Sequence, residues 1–270
     1  MSTRADYRKE LRRKLNDWPK TDLLTGAHNA TVTTLAVDTP ALFQKGGIIK
    51  IDTEEMLVTN VAATITVARA WSGTTAATHV DDSVISIFQF FADSELNDYI
   101  ANAIGDLWPD VFGRAMSVTL TLVSGTYSYN VPDAITTLAG VIVDIGYYTA
   151  SDARDTKIPF EIWGGKIYIT GDYSGTARIS YIYPYAKPTD EATDLAVPAT
   201  ANRLIIDEAF IQAMENMMLD RNKFERYTTA VWKESTAGYE IESNLDSMRA
   251  SAALLRDKLR MGLPTFIRRA

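Results

Sequence analysis

Residues 238–261 read GYEIESNLDSMRASAALLRDKLRM and contain the most regular apolar pattern in the chain. Apolar positions recur there at alternating spacings of three and four, as on a helix that packs lengthwise against other helices. The pattern predicts a helix from about 228 to 261, roughly 50 Å long at 1.5 Å per residue. Its apolar positions, called the terminal seam below, are Gly238, Ile241, Leu245, Met248, Ala252, Leu255 and Leu259.

The predicted length of this last helix exceeds what a compact domain of this size needs. We therefore expect part of the terminal seam to meet a neighbouring subunit. The alternative is a long helix that lies wholly inside its own bundle, since most such seams are intrachain. Gly262 is typical of the residue that caps the end of a helix, and Pro264 prevents the helix from continuing.

Three earlier segments, at about 4–17, 94–108 and 202–222, also carry one apolar stripe each at helical spacing. The first stripe is Tyr7, Leu11, Leu15 and Trp18. Between these helices, residues 27–88 and 118–183 contain short runs rich in Val, Ile, Thr and Tyr, separated by turn residues. The sequence therefore predicts an α+β fold: a helical bundle of about four helices, with a long C-terminal helix and two inserted antiparallel β modules.

The expected domain boundaries follow from these helix and strand patterns in the sequence. Residues 1–20, 91–112 and 199–262 form the helical bundle, and residues 27–90 form a small β-barrel or sandwich inserted in it. Residues 115–187 form a second β-rich insertion, with a hairpin turn at Gly164-Gly165, and residues 263–270 form a C-terminal tail.

Composition bounds the chemistry that the chain can perform. The 270 residues include no cysteine, which excludes disulfides, thiolate metal sites and thiol nucleophiles and is typical of a reducing compartment. The first residues lack the apolar region of a secretion signal, and no stretch approaches the roughly eighteen apolar residues of a membrane span. We expect assembly in the cytoplasm and no membrane partner.

Charge is distributed unevenly along the chain. The net charge is −7, yet residues 1–20 carry seven basic and three acidic side chains, and residues 249–270 carry six basic and one acidic. The stretch between these ends is therefore strongly acidic and is not expected to wrap nucleic acid. The simplest interpretation of the basic ends is two solvated helix faces.

Little in the sequence favours catalysis. His28 and His79 are the only histidines, and neither has further metal ligands at a typical spacing. Gly46-Gly47 precedes a strand and not a helix, so it does not indicate a phosphate loop. Asp52 and Glu54 share one strand face by the period-two rule, with Glu55 opposite, and such a pair can bind a cation or act in acid–base chemistry. Exposed carboxylates on a strand are normally solvated, so we expect no catalytic residues, metal or cofactor.

Residues 31–88 resemble a small β module that recurs in tailed-bacteriophage virion proteins. The resemblance is carried by Ile49-Lys50-Ile51-Asp52-Thr53-Glu54-Glu55-Met56-Leu57-Val58-Thr59 and by Thr66-Val67-Ala68-Arg69-Ala70-Trp71-Ser72-Gly73-Thr74-Thr75-Ala76-Ala77-Thr78-His79. Ala70 stands where that module more usually has glycine, and Asp81-Asp82 replaces a glycine-containing turn. The module covers about a fifth of the chain and implies a phage structural protein without specifying which one.

The helices at both ends and the basic tail resemble the head–tail adaptor proteins of phage necks. That resemblance implies a non-enzymatic virion protein that forms a twelve-fold ring between the portal and a stopper, head-closure or tail protein, around the DNA channel. It implies a tail that docks on the portal, with apolar anchors and arginines that pair with portal acids. The docking residues would be Leu263, Pro264, Phe266, Ile267, Arg268 and Arg269.

Two alternatives to the adaptor remain open. The first is a tail or baseplate protein whose β modules bind host glycans, suggested by Tyr147, Tyr148, Tyr168, Tyr173, Tyr181, Tyr183 and Tyr185. Alternating tyrosines are more often core and cross-strand pairs. The second alternative is a hydrolase that uses Asp52 and Glu54.

Overall fold

The computed structural model describes residues 3–88, 90–148, 154–192, 196–232 and 238–260. Within these residues there are six α-helices and thirteen strands in three antiparallel sheets. The helices are α1 Arg4–Leu15, α2 Asp93–Gly105, α3 Asp133–Thr136, α4 Asn202–Leu219, α5 Arg221–Trp232 and α6 Gly238–Leu259. The strands are β1 Lys20–Leu23, β2 Thr34–Leu35, β3 Ile48–Ile51, β4 Glu54–Val61, β5 Ile65–Ala68, β6 Val84–Phe88, β7 Gly113–Leu122, β8 Ser128–Asn130, β9 Val141–Tyr148, β10 Arg154–Lys157, β11 Phe160–Trp163, β12 Lys166–Ile169 and β13 Gly175–Tyr183.

The predicted fold class, a helical bundle of about four helices with two inserted antiparallel β modules, is wrong. The chain is an α+β protein with more sheet than that description allows. Helix α1 ends at Leu15, where Asn16 adopts the left-handed conformation, and residues 20–23 then join a sheet as β1. The second β-rich region divides into two sheets, because the short strands around the Gly164-Gly165 turn pair among themselves.

The last predicted helix, from about 228 to 261, coincides with described helix on both sides of residues 233–237. Helix α5 includes residues up to Trp232, and α6 has 22 residues from Gly238 to Leu259. At 1.5 Å per residue α6 is about 33 Å long. Residues 233–237 lie outside the described residues, so the single helix of about 50 Å and its contact with a neighbouring subunit stay predictions.

The first sheet is a small closed barrel. Its strand order is β1-β6-β3-β4-β5-β2, and a backbone bridge between Leu24 and Val37 joins the two outer strands. Alternate residues of the strands point inward, among them Ile49, Ile51 and Ile85, each of which has no exposed surface. The barrel thus has its own apolar core and no open sheet edge along most of its rim.

The second and third sheets pack face to face over one apolar core. The second has the order β10-β9-β13-β7, and the third has the order β11-β12-β8. Ile142, Ile145 and Ile179 from the second sheet meet Ile167 and Ile169 from the third. Gly113 begins β7 where a Cβ atom would lie 2.5 Å from the ring of Tyr183, so only glycine fits there.

Helices from distant parts of the sequence share one apolar core. Helix α4 contacts α1, α2, α5 and α6. The core contains the α1 stripe up to Leu15, whereas Trp18, predicted to continue that stripe, is 46% exposed. Polar contacts at the helix ends reinforce the packing: the Tyr7 hydroxyl donates to Asn202 Oδ1 at 2.6 Å, and the Tyr227 hydroxyl donates to the Leu15 carbonyl at 2.8 Å.

The terminal seam faces this core. Ile241, Leu245 and Ala252 are buried, and Met248, Leu255 and Leu259 are partly buried against the same cluster. Ion pairs flank the seam, from Arg249 to Glu215 at 2.6 Å and from Arg256 to Glu208 at 3.0 Å. Both acids belong to α4, so α6 is fixed along α4 by apolar and charged contacts within one chain.

Truncating the seam should therefore destabilise the isolated chain. We expect Leu245→Ala to lower the free energy of unfolding by about 2–5 kcal/mol, because the residue is 2% exposed and leaves a cavity. Leu254→Ala, on the same helix but 58% exposed, should change it by less than about 0.5 kcal/mol. Equilibrium denaturation measures both, and equal effects would show that the seam is not packed in the single chain.

Candidate functional site

A buried polar cluster joins the strands and loops of the barrel around Glu54. Arg69 donates to both carboxylate oxygens, from Nε to Oε1 at 2.7 Å and from Nη2 to Oε2 at 2.6 Å. The backbone N–H groups of Ala70 and Ala77 donate to the same carboxylate at 3.1 and 2.8 Å, and His79 Nε2 lies 3.1 Å from Oε2. The Glu54 side chain has no exposed surface, so its hydrogen-bonding capacity is used inside the protein.

The electrostatics of this cluster keep Glu54 ionised. Burial alone would raise the pKa of its carboxyl group, but the hydrogen bonds from Arg69, the two backbone N–H groups and His79 outweigh burial and lower the pKa to about 2. A carboxylate that is inaccessible and ionised at neutral pH cannot reach or protonate a substrate. The geometry therefore does not favour the hydrolase hypothesis.

The predicted pairing of Asp52 with Glu54 on one strand face is wrong. Asp52 lies in the turn before β4, with φ of +54°, and only Glu54 begins the strand. The two acids are nevertheless brought together by His79, whose Nδ1 lies 2.9 Å from Asp52 Oδ2. His79 is fully buried, and it also forms a two-way backbone bridge with His28.

Arg69 extends the cluster to the loops of the barrel. Its guanidinium donates to the carbonyl oxygens of Val32 and Asn29 at 2.8 and 3.0 Å, and to that of Ala77 at 2.6 Å. One arginine therefore fixes the loop before β2 and the loop after β5 against Glu54. The loop after β5 carries Arg69 to His79, which belong to the second stretch on which the phage-module resemblance rests.

A second buried network, called the junction below, connects the barrel with the helices. Its centre is Arg12 of α1, which is 4% exposed. Arg12 Nη1 binds Asp17 Oδ2 at 2.9 Å, and Nη2 binds Asp93 Oδ1 at 2.8 Å and the Phe91 carbonyl at 3.0 Å. The guanidinium also lies 4.2 Å from the ring centroid of Phe88, the last residue of β6.

The barrel contributes two side chains to the junction. Lys50 Nζ from β3 binds Asp93 Oδ2 at 2.7 Å. Glu55 from β4 accepts hydrogen bonds from the Asp93 backbone N–H at 2.9 Å and from the Ser94 hydroxyl at 3.0 Å, so a strand carboxylate caps the first turn of α2. Burial would raise the pKa of Asp93, but its bonds with Lys50 and Arg12 and the charge of Arg8 lower it.

The solvated helix faces that the sequence suggested for the basic ends are found only in part: Arg13 and Arg260 are exposed, whereas several other basic side chains are fixed in ion pairs. Arg8 pairs with Asp93 at 3.2 Å and with Glu191 at 2.7 Å, and Lys14 pairs with Asp207. At the other end Arg260 pairs with Asp110 at 2.8 Å. Sequence reasoning missed these pairs because their partners are distant along the chain. Of the ion pairs at the junction, that of Arg12 with Asp17 joins residues only five positions apart and so had a local signal in the sequence.

The other predicted site residues fall into two groups. Leu263, Pro264, Phe266, Ile267, Arg268 and Arg269 lie outside the described residues. The tyrosines do not form one shared surface: Tyr181 and Tyr185 are buried, and the Tyr147 hydroxyl is bound to the Ser174 carbonyl. Only Tyr168 stands beside an exposed aromatic residue, with its ring centroid 6.2 Å from that of Trp163, which is 75% exposed.

Comparison with known proteins adds no further assignment. No protein-family model matches the chain, and no curated protein is significantly similar to it in sequence. In the part of the chain that the structure describes, no group of His, Asp and Glu side chains has a geometry suited to a metal ion. Among those same residues, no helix has both the length and the apolar character that crossing a bilayer requires.

Breaking the junction should have a large effect on stability. We expect Arg12→Ala to lower the free energy of unfolding by about 3–5 kcal/mol, because Asp17 and Asp93 stay buried and each loses a charged partner. The matched control is Arg13→Ala on the same helix, whose side chain is 66% exposed and should contribute less than about 1 kcal/mol. Equal losses in denaturant titrations would contradict the assignment.

The Glu54 cluster should make stability depend on pH in the acid range. Because the folded pKa of about 2 lies below the ordinary value of 4.5, the ionised group stabilises the fold above about pH 4.5. This contribution, on the order of 3 kcal/mol, should disappear as pH falls from 4.5 towards 2. Glu54→Gln should be less stable than wild type at pH 7, and the difference should shrink with acidification.

A control for this pH dependence is Glu161→Gln, at an exposed position on β11. Its stability curve should follow that of the wild-type chain from pH 7 to pH 2. Thermal or denaturant unfolding across this range provides the measurement. A Glu54→Gln curve that stays parallel to wild type at every pH would refute the proposed role of the cluster.

Proposed function

We propose that the chain is a structural protein of a phage neck, which forms a ring that joins the portal to the tail or to the next neck protein. The observation that carries this proposal is the Glu54 cluster. Glu54, Arg69 and His79 lie in the stretches that resemble the phage virion module, and they form a buried polar cluster in its interior. The resemblance thus concerns the residues that hold the barrel together.

The arrangement of the barrel and helices supports a scaffolding role. The junction ties the barrel to α1 and to the start of α2, and α4 ties these helices to α5 and α6. A subunit that transmits force between the head and the tail needs such fixed internal geometry. The acidic body between the basic ends further supports a place around DNA, since like charge keeps a passing duplex from binding.

Docking on the portal is assigned to residues 263–270. Phe266 and Ile267 supply apolar anchors, and Arg268 and Arg269 supply charges for acidic partners on the portal. Two basic residues just before this segment, Arg256 and Arg260, are already paired within the chain, with Glu208 and Asp110. The twelve-fold copy number is part of the same proposal and follows the adaptor resemblance.

Charge reversal of the tail tests the docking. The double variant Arg268→Glu, Arg269→Glu should bind the portal protein of the same phage at least ten-fold more weakly at low salt, with a smaller loss at high salt. Lys166→Glu, an exposed control on β12, should bind like wild type. Wild-type chain with portal should give rings in electron micrographs; labelled chain at the distal end of the tail would refute the proposal.

A second candidate function is glycan binding by a tail or baseplate protein. The observation that favours it is the exposed pair of Trp163 and Tyr168 on the outer face of the third sheet, with Glu161 and Lys166 beside it. Aromatic faces next to polar side chains suit the apolar faces and hydroxyl groups of a sugar. Glycan-array hits that disappear in Trp163→Ala would favour this function, and an array without hits would remove its support.

A further inference from the structure

Strand β7 offers an open edge for the addition of another strand. It is an outer strand of the second sheet and pairs through its whole length with β13. In the part of the chain that the structure describes, no backbone hydrogen bond is made by the opposite side of β7. Arg114 is its sole charged residue, and it contains no proline.

This edge differs from the other outer strands of the two packed sheets. Strand β10 is four residues long and includes Arg154, Asp155 and Lys157, and β8 is only three residues long. Short length and charged side chains are the usual means by which proteins protect sheet edges from pairing. With ten residues and the uncharged run Ser117-Val118-Thr119-Leu120-Thr121-Leu122, β7 has neither protection.

The edge is held in a fixed position from within the molecule. Leu120 and Leu122 are buried in the core between the two sheets, while Ser117, Thr119 and Thr121 are exposed on the other face. A bulge opposite Ser180 interrupts the pairing with β13 near Met116, and pairing is regular from Val118 to Leu122. The distal part of β7 is therefore a straight, preformed template.

The end of α6 lies beside the start of this strand. Arg260, the last described residue, pairs with Asp110 through a 2.8 Å contact between Nε and Oδ1. Arg256 donates to the Asp106 carbonyl at 2.9 Å. Asp110 precedes the first residue of β7 by three positions, so Arg260 lies at the end of the sheet where β7 begins.

The sequence that follows suits an added strand. Pro264 stops the helical direction, and Thr265, Phe266 and Ile267 have high strand propensity. Two extended chains advance by about the same distance per residue. If the count starts with Arg260 opposite Asp110, residues 265–269 lie opposite about residues 115–119.

We propose that residues 265–269 of the same chain add to the free edge of β7 as a fifth, parallel strand in the subunit before it meets a partner. The backbone groups of β7 supply the hydrogen bonds, as in other cases of strand addition. The added strand covers an edge that would otherwise pair with other chains. The inference concerns the free subunit and stands without the portal, but portal docking by the same segment requires its release from β7.

Disulfide cross-linking tests the position of the segment in the full-length chain, which has no native cysteine. Ile267→Cys or Phe266→Cys, which sample the two faces of a strand, is combined in turn with Ser117→Cys, Thr119→Cys and Thr121→Cys on exposed positions of β7. We expect rapid oxidation to an internally cross-linked monomer in at least one combination. The control Thr156→Cys lies on β10, at the opposite edge of the same sheet, and should not cross-link.

Three outcomes would overturn the proposal: no cross-link to β7, equal cross-linking to β7 and β10, or cross-links only between two chains. The last outcome would assign the edge to the tail of another copy. The portal is absent from this experiment, so its result is independent of the portal-binding measurement and the two proposals can fail separately.

Hydrogen exchange provides a second readout. The β7 amides that point away from β13 should exchange at least ten-fold more slowly in the wild-type chain than in Ile267→Pro, which removes a backbone donor from the added strand. The control Ala270→Pro lies beyond the strand and should leave the exchange rates unchanged. Fast exchange of these amides in the wild-type chain would contradict the proposal.

Discussion

The buried contact of Arg12 with Asp17 and Asp93 is the constraint on which the arrangement of the molecule depends. Asp93 starts α2, Asp17 follows α1, and Lys50 of the barrel binds the second oxygen of Asp93. Three segments distant in sequence are thus held by one charged group that is almost inaccessible to water. Buried charges tolerate little displacement because each needs its partner, so this contact fixes position more strictly than apolar packing does.

The same principle explains the interior of the barrel and its bearing on function. Glu54 is neutralised by Arg69 and accepts backbone hydrogen bonds from Ala70 and Ala77, so the carboxylate that suggested acid–base chemistry instead fixes the loop after β5. The proposals on function therefore rest on contact surfaces, which include the sheet edge at β7 and the aromatic pair at Trp163.

Apolar periodicity identified much of the helical core from sequence. The stripe from Tyr7 to Leu15 and the terminal seam residues Ile241, Leu245 and Ala252 are all buried. The number of sheets could not be predicted, because strand pairing depends on contacts between distant residues. The burial of Arg12 and of Glu54 was missed for a related reason: a charged residue is normally exposed, and only partners such as Asp93 or Arg69 make burial favourable.

A double-mutant cycle between Arg12 and Asp93 tests the central claim most directly. Arg12→Met, Asp93→Asn and the double variant are compared with the wild-type chain by equilibrium denaturation. If the junction holds the barrel and the helices together, the losses of unfolding free energy in the two single variants should sum to more than the loss in the double variant. The difference, which is the coupling energy, should be about 1–3 kcal/mol. Losses that add to within about 0.5 kcal/mol would show that the two residues act independently, and would contradict the account.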